Sequence, residues 1–149
     1  PDDVYLAQRG MRTLSVRLKR HWENGLKVAD WLRDQDMVEV VMHPALTEDP
    51  GHELWKRDFL GASGLFGITL KPCPRKAVAA MVDGLELFGM GASWGGYESL
   101  VLPQDPNAFR SVTPWPYEGQ CLRFHIGLED THDLITDLDA GFKRLEAAL

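Results

Sequence analysis

The residues best suited to chemistry lie in the stretch CLRFHIG, where arginine and histidine alternate with apolar side chains. A strand has a period of two, so Leu122, Phe124 and Ile126 belong on one face, and Arg123 and His125 on the other. An arginine within an apolar strand needs a partner, because an unpaired buried charge is costly. Two partners remain open: a carboxylate of the protein itself, or a carboxylate ligand, which a guanidinium binds through a planar pair of hydrogen bonds.

The spacing of the histidines and cysteines predicts no metal centre. A lone histidine such as His125 is more often structural than catalytic. The sequence has no HExxH motif and no CxxC pair, so we expect neither a zinc site nor another metal site. The remaining histidines and the two cysteines are His21, His43, His52, His132, Cys73 and Cys121.

A second candidate is the stretch GASWGGYESLVLP, which contains Ser93, Trp94 and the pair Gly95-Gly96. A phosphate-binding loop needs a helix after its glycines, so that the amides and the helix dipole converge on the anion. Here an apolar, β-branched run follows, which predicts a strand over 97–103. The glycines are therefore interpreted as a bend that lets a ligand or another backbone approach. Ser93 lacks the GxSxG context of a hydrolase nucleophile.

The elements that must position these residues follow from periodicity. Apolar residues at steps of three and four predict a long helix over 4–34, bent near Gly10. Proline-rich residues 103–120 predict a long loop. We expect an α+β fold, a small and mostly antiparallel four-stranded sheet with helices on one face, preceded by the long helix. The predicted strands are 37–44, 64–71, 97–103 and 121–127, and the further helices are 51–59, 74–88 and a last one opening at Asp130 or Thr131.

Composition narrows the class of protein. The 149 residues suit one domain with its own core. A formal net charge of −6 argues against a nucleic-acid partner. No apolar run is long enough for a membrane span, and no signal peptide is visible, so we expect a reduced, cytoplasmic protein. The chain begins at Pro1 without a methionine, and we expect it to be part of a longer protein.

Two segments carry a resemblance to a known family. SWGGYESLVLP, taken with LRFHIGLEDTHDLITDLDAGF, resembles the C-terminal part of the pyridoxal-phosphate (PLP) enzymes of cysteine and methionine metabolism, of fold type I. The opening RGMRTLSVRLKRHWENGLKVADWL is similar to the family's long helix leading into its small domain. The Ser-x-Gly-Gly-x-Glu-Ser-Leu pattern is typical of the whole family. The tryptophan after the serine, together with RFHIGLED, points to the cystathionine β-lyase branch.

The resemblance implies roles for residues of this chain. Arg123 would bind the α-carboxylate of an amino-acid substrate, cystathionine. Ser93 and Trp94 would lie beside that carboxylate, with the indole lining the pocket. Family members hold PLP through a Schiff-base lysine in a large N-terminal domain, and no lysine here lies in a matching context. We therefore expect no catalytic residue in this chain, and no activity from it alone.

The resemblance also implies an organisation. Residues 1–35 would be a helix linking to the large domain, and 36–149 the C-terminal small domain. The complete enzyme would be a homotetramer with no nucleic-acid or membrane partner. Two alternatives stay open: another family member, such as a cystathionine γ-synthase, a γ-lyase or a cysteine desulfhydrase-like enzyme, or a free-standing, non-catalytic α+β domain for binding or oligomerisation.

Overall fold

The computed structural model describes all 149 residues, in five α-helices and five β-strands. The helices are α1 (Asp2–Met11), α2 (Leu14–Arg33), α3 (His52–Asp58), α4 (Arg75–Val82) and α5 (Thr131–Ala147). The strands are β1 (Val38–Met42), β2 (Leu65–Leu70), β3 (Phe88–Met90), β4 (Ser99–Gln104) and β5 (Cys121–His125). The predicted α+β class is confirmed. None of the helices combines the length and the apolar character needed to cross a membrane.

The strands form one sheet in the order β1-β2-β5-β4-β3. Neighbouring strands are antiparallel except β3 and β4, which are parallel, so the mostly antiparallel sheet is also confirmed. The predicted count of four strands is wrong by one. Strand β3 was missed because its first residue was assigned to a helix over 74–88. That helix ends at Val82, just before Asp83-Gly84, and Phe88 then packs edge-on against Phe124, with ring centroids 5.8 Å apart.

Helices cover one face of the sheet. Leu122, Phe124 and Ile126 have no exposed surface, as the alternation predicted, and they meet α2, α4 and α5 in a single apolar core. At about 25 cal/mol per Å² of buried apolar surface, side chains of this size stabilise the fold by roughly 1.5–3 kcal/mol each. The opposite face of the sheet carries Arg123 and His125, and His21 of α2 lies against the His125 ring there.

The long helix predicted over 4–34 is divided. Its break lies at Arg12-Thr13 rather than at Gly10, and the Arg17 guanidinium braces it by donating to the Gly10 carbonyl oxygen at 2.9 Å and to the Thr13 hydroxyl at 3.2 Å. Only the second half of α2 reaches the core, where Leu32 is fully buried. The apolar residues of α1 and of the first half of α2 stay exposed: Val4, Tyr5, Leu6, Met11, Leu14, Val16 and Leu18.

The parallel pairing of β3 and β4 requires the chain to turn back between them. Residues 91–98, called here the return segment, make that connection in eight residues. Parallel neighbours are usually joined by a crossover of a dozen residues or more. The short connection is possible because β3 has only three residues. The return segment runs along β5 on the face that carries Arg123, and so places the SWGG motif there.

The predicted loop over 103–120 is partly ordered by local structure. Strand β4 continues to Gln104, and a 3₁₀ turn follows at Pro106–Ala108. The Asp105 side chain caps that turn by accepting from the Asn107 amide at 3.0 Å. The end of the loop is tied back to β4, since the Gln120 side-chain amide donates to the Gln104 carbonyl oxygen at 2.7 Å.

Candidate functional site

Arg123 lies at the middle of β5, opposite Gly67 of β2 and Leu102 of β4. One of its terminal nitrogens, Nη2, donates to carbonyl oxygens of the return segment. The distances from Nη2 are 2.8 Å to Ala92, and 3.4 Å to both Gly91 and Ser93. The start of the return segment is therefore bound to the guanidinium through its backbone.

No carboxylate of the chain pairs with Arg123. The ion pairs of the structure all lie elsewhere, on the exposed surface. Its Nε and Nη1 atoms make no hydrogen bond within the chain, although a guanidinium has five N–H donors. Of the two partners left open by the sequence, a carboxylate within these 149 residues is excluded. Arg123 presents a half-buried positive charge with free donors, which suits an anionic ligand.

Ser93 and Trp94 lie at the exposed crest of the return segment. The Ser93 carbonyl oxygen faces the guanidinium, while its hydroxyl makes no hydrogen bond within the chain. The Trp94 side chain is 63% exposed, and its indole N–H is also free. The structure thus brings the backbone of Ser93 to Arg123, and leaves the Ser93 hydroxyl and the Trp94 indole N–H without a hydrogen bond within the chain.

The return segment next passes over His125. The His125 Nε2 atom lies 3.1 Å from the Gly95 amide nitrogen and 3.1 Å from the Gly96 carbonyl oxygen. Gly95 has a φ of +83°, a left-handed conformation that favours glycine, and this makes the bend possible. The segment then reaches the residues after β5, where the Leu128 amide donates to the Tyr97 carbonyl oxygen at 2.8 Å.

A carboxylate fixes the end of the return segment. Glu129 accepts from the Ser99 amide at 2.7 Å through Oε1 and from the Ser99 hydroxyl at 2.8 Å through Oε2. The Ser99 oxygen in turn accepts from the Gly127 amide at 2.9 Å, and Ser99 has no exposed surface. The sequence analysis missed this cluster. The only local pattern that could have indicated it is a glutamate, Glu129, two residues after the glycine that ends an apolar strand. This pattern is too common in proteins to identify such a cluster.

Two buried polar residues of α2 hold the same turn from the other side. His21 Nδ1 lies 2.7 Å from the Ile126 carbonyl oxygen, to which it donates. The Asn24 side-chain amide donates to the carbonyl oxygens of Gly127 and Glu129, each at 3.1 Å. Both side chains are almost fully buried, so these bonds anchor the end of β5 and the base of the Glu129–Ser99 cluster to the helical layer.

Burial lowers the pKa of His125 from its ordinary value. The nearby His21 acts in the same direction, while the Gly96 carbonyl, Glu98 and Glu129 oppose the shift. The imidazole is therefore neutral at neutral pH, because the ordinary value is already about 6.5. A neutral ring can accept one hydrogen bond and donate one.

The lysines do not take part in this site. All six are exposed: Lys19, Lys27, Lys56, Lys71, Lys76 and Lys143. A lysine becomes a nucleophile at neutral pH when desolvation or a neighbouring charge lowers its pKa. Lys143 shows the opposite effect, because Asp139, 2.6 Å away, raises its pKa. None of these lysine side chains is buried, and the group that suits the anionic end of a ligand is the Arg123 guanidinium.

The chain is similar to characterised proteins along nearly its whole length. It is 49% identical over 148 residues to cystathionine beta-lyase of Escherichia coli (strain K12), covering 97% of this chain and 38% of that protein. It is 48% identical over 145 residues to the L-alanine/L-glutamate racemase of Wolbachia pipientis wMel, covering 96% of this chain and 36% of that protein. It therefore spans little more than a third of the length of the curated relatives it matches.

A solved structure and a family model agree with these relatives. The crystal structure of cystathionine gamma synthase from Xanthomonas oryzae pv. oryzae in complex with cystathionine superposes with a TM-score of 0.85 at 36% identity, over 100% of this chain and 40% of that one. Residues 1–143 match the model of the Cys/Met metabolism PLP-dependent enzymes. The fold is accordingly that of a domain of a fold type I PLP enzyme. The chain belongs to the PLP-dependent enzyme family of cysteine and methionine metabolism.

Proposed function

We propose that this chain is the substrate-carboxylate-binding, C-terminal domain of a cystathionine β-lyase, a PLP-dependent carbon–sulfur lyase. The complete enzyme would convert cystathionine into homocysteine, pyruvate and ammonia. The observation that carries the proposal is Arg123, a mid-strand arginine with no carboxylate partner and with free donors beside Ser93 and Trp94. In this proposal residues 1–35 link to the cofactor domain, and residues 36–149 form the small domain.

Each of these residues would act on the substrate. The free Nε and Nη1 atoms of Arg123 would take the α-carboxylate, while Nη2 keeps its bonds to the return segment. The Ser93 hydroxyl and the backbone amide of Trp94 would hold the same carboxylate, and the indole would cover it. Fixing one end of the substrate orients its α-carbon, which is a positioning contribution to catalysis. PLP, when bound in the longer protein, supplies a ring that accepts electron density from that carbon.

A second candidate is amino-acid racemisation, favoured by the similarity to the Wolbachia racemase. Both reactions act at the α-carbon of an amino acid whose carboxylate must be held, so Arg123 would serve either. The alternative γ-synthase and γ-lyase reactions share the same requirement. The products separate them: pyruvate for β-elimination, a longer keto acid or a new thioether for the γ-reactions, and loss of optical activity without a keto acid for racemisation.

The experiment is Arg123→Lys in the full-length protein, with Arg20→Lys as control, because Arg20 is exposed on α2. Lysine keeps the charge but cannot bind a carboxylate with two parallel bonds. Losing charge-assisted hydrogen bonds should raise KM for cystathionine about 10- to 150-fold. The absorbance of bound PLP should stay the same in both variants. A KM equal to that of the control would refute the role of Arg123.

The rival is a free-standing α+β domain that binds or oligomerises without chemistry. The reading frame upstream of Pro1 decides between them. A preceding lysine-bearing cofactor domain supports the enzyme, and a start codon immediately before Pro1 supports the rival. In the enzyme we expect a cytoplasmic homotetramer, which light scattering would measure. The 149-residue chain alone should show neither PLP absorbance nor lyase activity.

A further inference from the structure

We propose that His125 is a positioning residue of this site, whose imidazole holds the bend at Gly95-Gly96 and thereby keeps Ser93 and Trp94 beside Arg123. The proposal rests on the proposed function, since it assigns a role within the same carboxylate site. Arg123 contacts the ligand directly in that scheme. His125 acts through the return segment, without touching the ligand.

The contact geometry gives the ring two possible partners. Nε2 lies 3.1 Å from both the Gly95 amide nitrogen and the Gly96 carbonyl oxygen. An Nε2 atom without a proton accepts from the amide, and one with a proton donates to the carbonyl oxygen. The ring can hold the bend in either state, through a different atom of the backbone. The side chain is 3% exposed, so no solvent competes strongly for these bonds.

His125 is the only internal support of the middle of the return segment. Its beginning is held by Arg123 at Gly91, Ala92 and Ser93, and its end by the Leu128 amide at Tyr97. Between these points, no other side chain or backbone group of the protein forms a hydrogen bond with the backbone of residues 94–96. Without the imidazole, the crest that carries Trp94 would span this interval unsupported.

Several charged and titratable groups face the ring. His21 of α2 stacks against it with ring centroids 5.1 Å apart, Glu98 approaches from the return segment, and Glu129 from the residues after β5. Arg123 is two residues away on the same strand and face. Burial and His21 favour the neutral ring, whereas the two carboxylates oppose them. A neutral ring keeps one nitrogen without a proton, either Nε2 at 3.1 Å or Nδ1 at 3.5 Å from the Gly95 amide nitrogen, and can accept from that amide. A protonated ring has no acceptor left and can only donate, to the Gly96 carbonyl oxygen.

The first test measures amide hydrogen exchange by NMR on the 149-residue chain. His125→Leu keeps the apolar volume and removes the acceptor, so protection of the Gly95 amide should fall about 2- to 10-fold. His125→Gln retains an amide that can accept and donate, and should restore protection. His132→Leu, at an exposed position of α5, is the matched control and should leave this amide unchanged.

Wild-type chain provides an independent measurement that needs no substitution. Protection of the Gly95 amide, corrected for intrinsic exchange, should fall when the ring is protonated in acid, while amides of β5 keep theirs. Unchanged protection in both acid and His125→Leu would overturn the proposed contact. If His125→Leu does not fold, the acid measurement alone decides the contact.

The second test is steady-state kinetics of the full-length enzyme. His125→Leu should raise KM for cystathionine about 3- to 10-fold with a smaller change in kcat, since a loosened segment weakens carboxylate binding. His125→Gln should recover KM. Lost protection with unchanged KM, or a raised KM in His125→Gln despite restored protection, would overturn the positioning role. If Arg123→Lys leaves KM unaltered, the proposed function fails separately, while the exchange data still judge the contact.

Discussion

Replacing Glu129 by alanine should destabilise the folded chain substantially. The substitution removes the acceptor of two hydrogen bonds, from the Ser99 amide at 2.7 Å and the Ser99 hydroxyl at 2.8 Å. Ser99 has no exposed surface, so its amide would be left buried without a partner. A bond to a charged group contributes roughly 1.5–3 kcal/mol, and a partly exposed carboxylate lies toward the lower end.

We therefore expect Glu129→Ala to lower the free energy of unfolding by about 2–4 kcal/mol. For a chain of this length that corresponds to a fall in Tm of about 5–15 °C. Urea unfolding of the chain, followed by far-UV circular dichroism, measures the first quantity. Glu118→Ala is the control, because Glu118 is exposed and forms no hydrogen bond, and its effect should stay within about 0.5 kcal/mol.

The pairwise nature of the effect can be tested with Ser99→Ala and the double variant. If Glu129 acts through Ser99, the double variant should be less destabilised than the sum of the two single variants, by about 1 kcal/mol. Strict additivity would refute the coupling. A loss below about 0.5 kcal/mol for Glu129→Ala would refute the magnitude derived from burial.

Two further outcomes follow from burial and packing. Burial lowers the pKa of His43 and His125, so the unfolded chain binds protons at higher pH than the folded one, and the free energy of unfolding should fall as the pH drops below about 6.5. The urea midpoint should therefore be lower at pH 5.5 than at pH 7.5. This difference between the two midpoints should be smaller in His43→Gln and unchanged in the exposed control His132→Gln. Gly119→Ala should lower the free energy of unfolding in urea by about 1–3 kcal/mol, because a Cβ at this position would overlap the carbonyl of Leu70, the last residue of β2. Gly91→Ala is the control and should be nearly neutral, because a Cβ there would have its nearest neighbour, the Leu100 side chain, at 3.7 Å.

Strand β5 shows what local pattern can predict. The strict alternation of large apolar residues with Arg123 and His125 specified which face joins the apolar core, and the structure follows it, although His125 on the other face is buried as well. The glycines before β4 indicated only a bend open to a ligand or to another backbone, and the placement of Ser93 and Trp94 near Arg123 was implied by the family resemblance. Strands β4 and β5 could therefore be assigned from propensity and period alone, unlike β3.

The missed features depend on distant parts of the chain. Strand β3 has three residues, one of them glycine, and is a strand only because β4 lies beside it. The Glu129–Ser99 bond joins residues 30 positions apart, and the His21 contact with Ile126 joins residues 105 apart. Neither has a local signature. The helix break at Thr13 likewise shows no proline and only a nearby glycine.

The geometry of the return segment restricts how many residues can join β3 to β4 more than which residues they are. Eight residues must leave the end of β3, follow β5 and enter β4 in the parallel direction, with attachments at Arg123, His125 and Leu128 on the way. A surface loop of this size would ordinarily tolerate insertion. Here one added or deleted residue would move Ser93 and Trp94 out of step with the strand beneath them. Divergence at this position is therefore expected to proceed by substitution, at constant spacing.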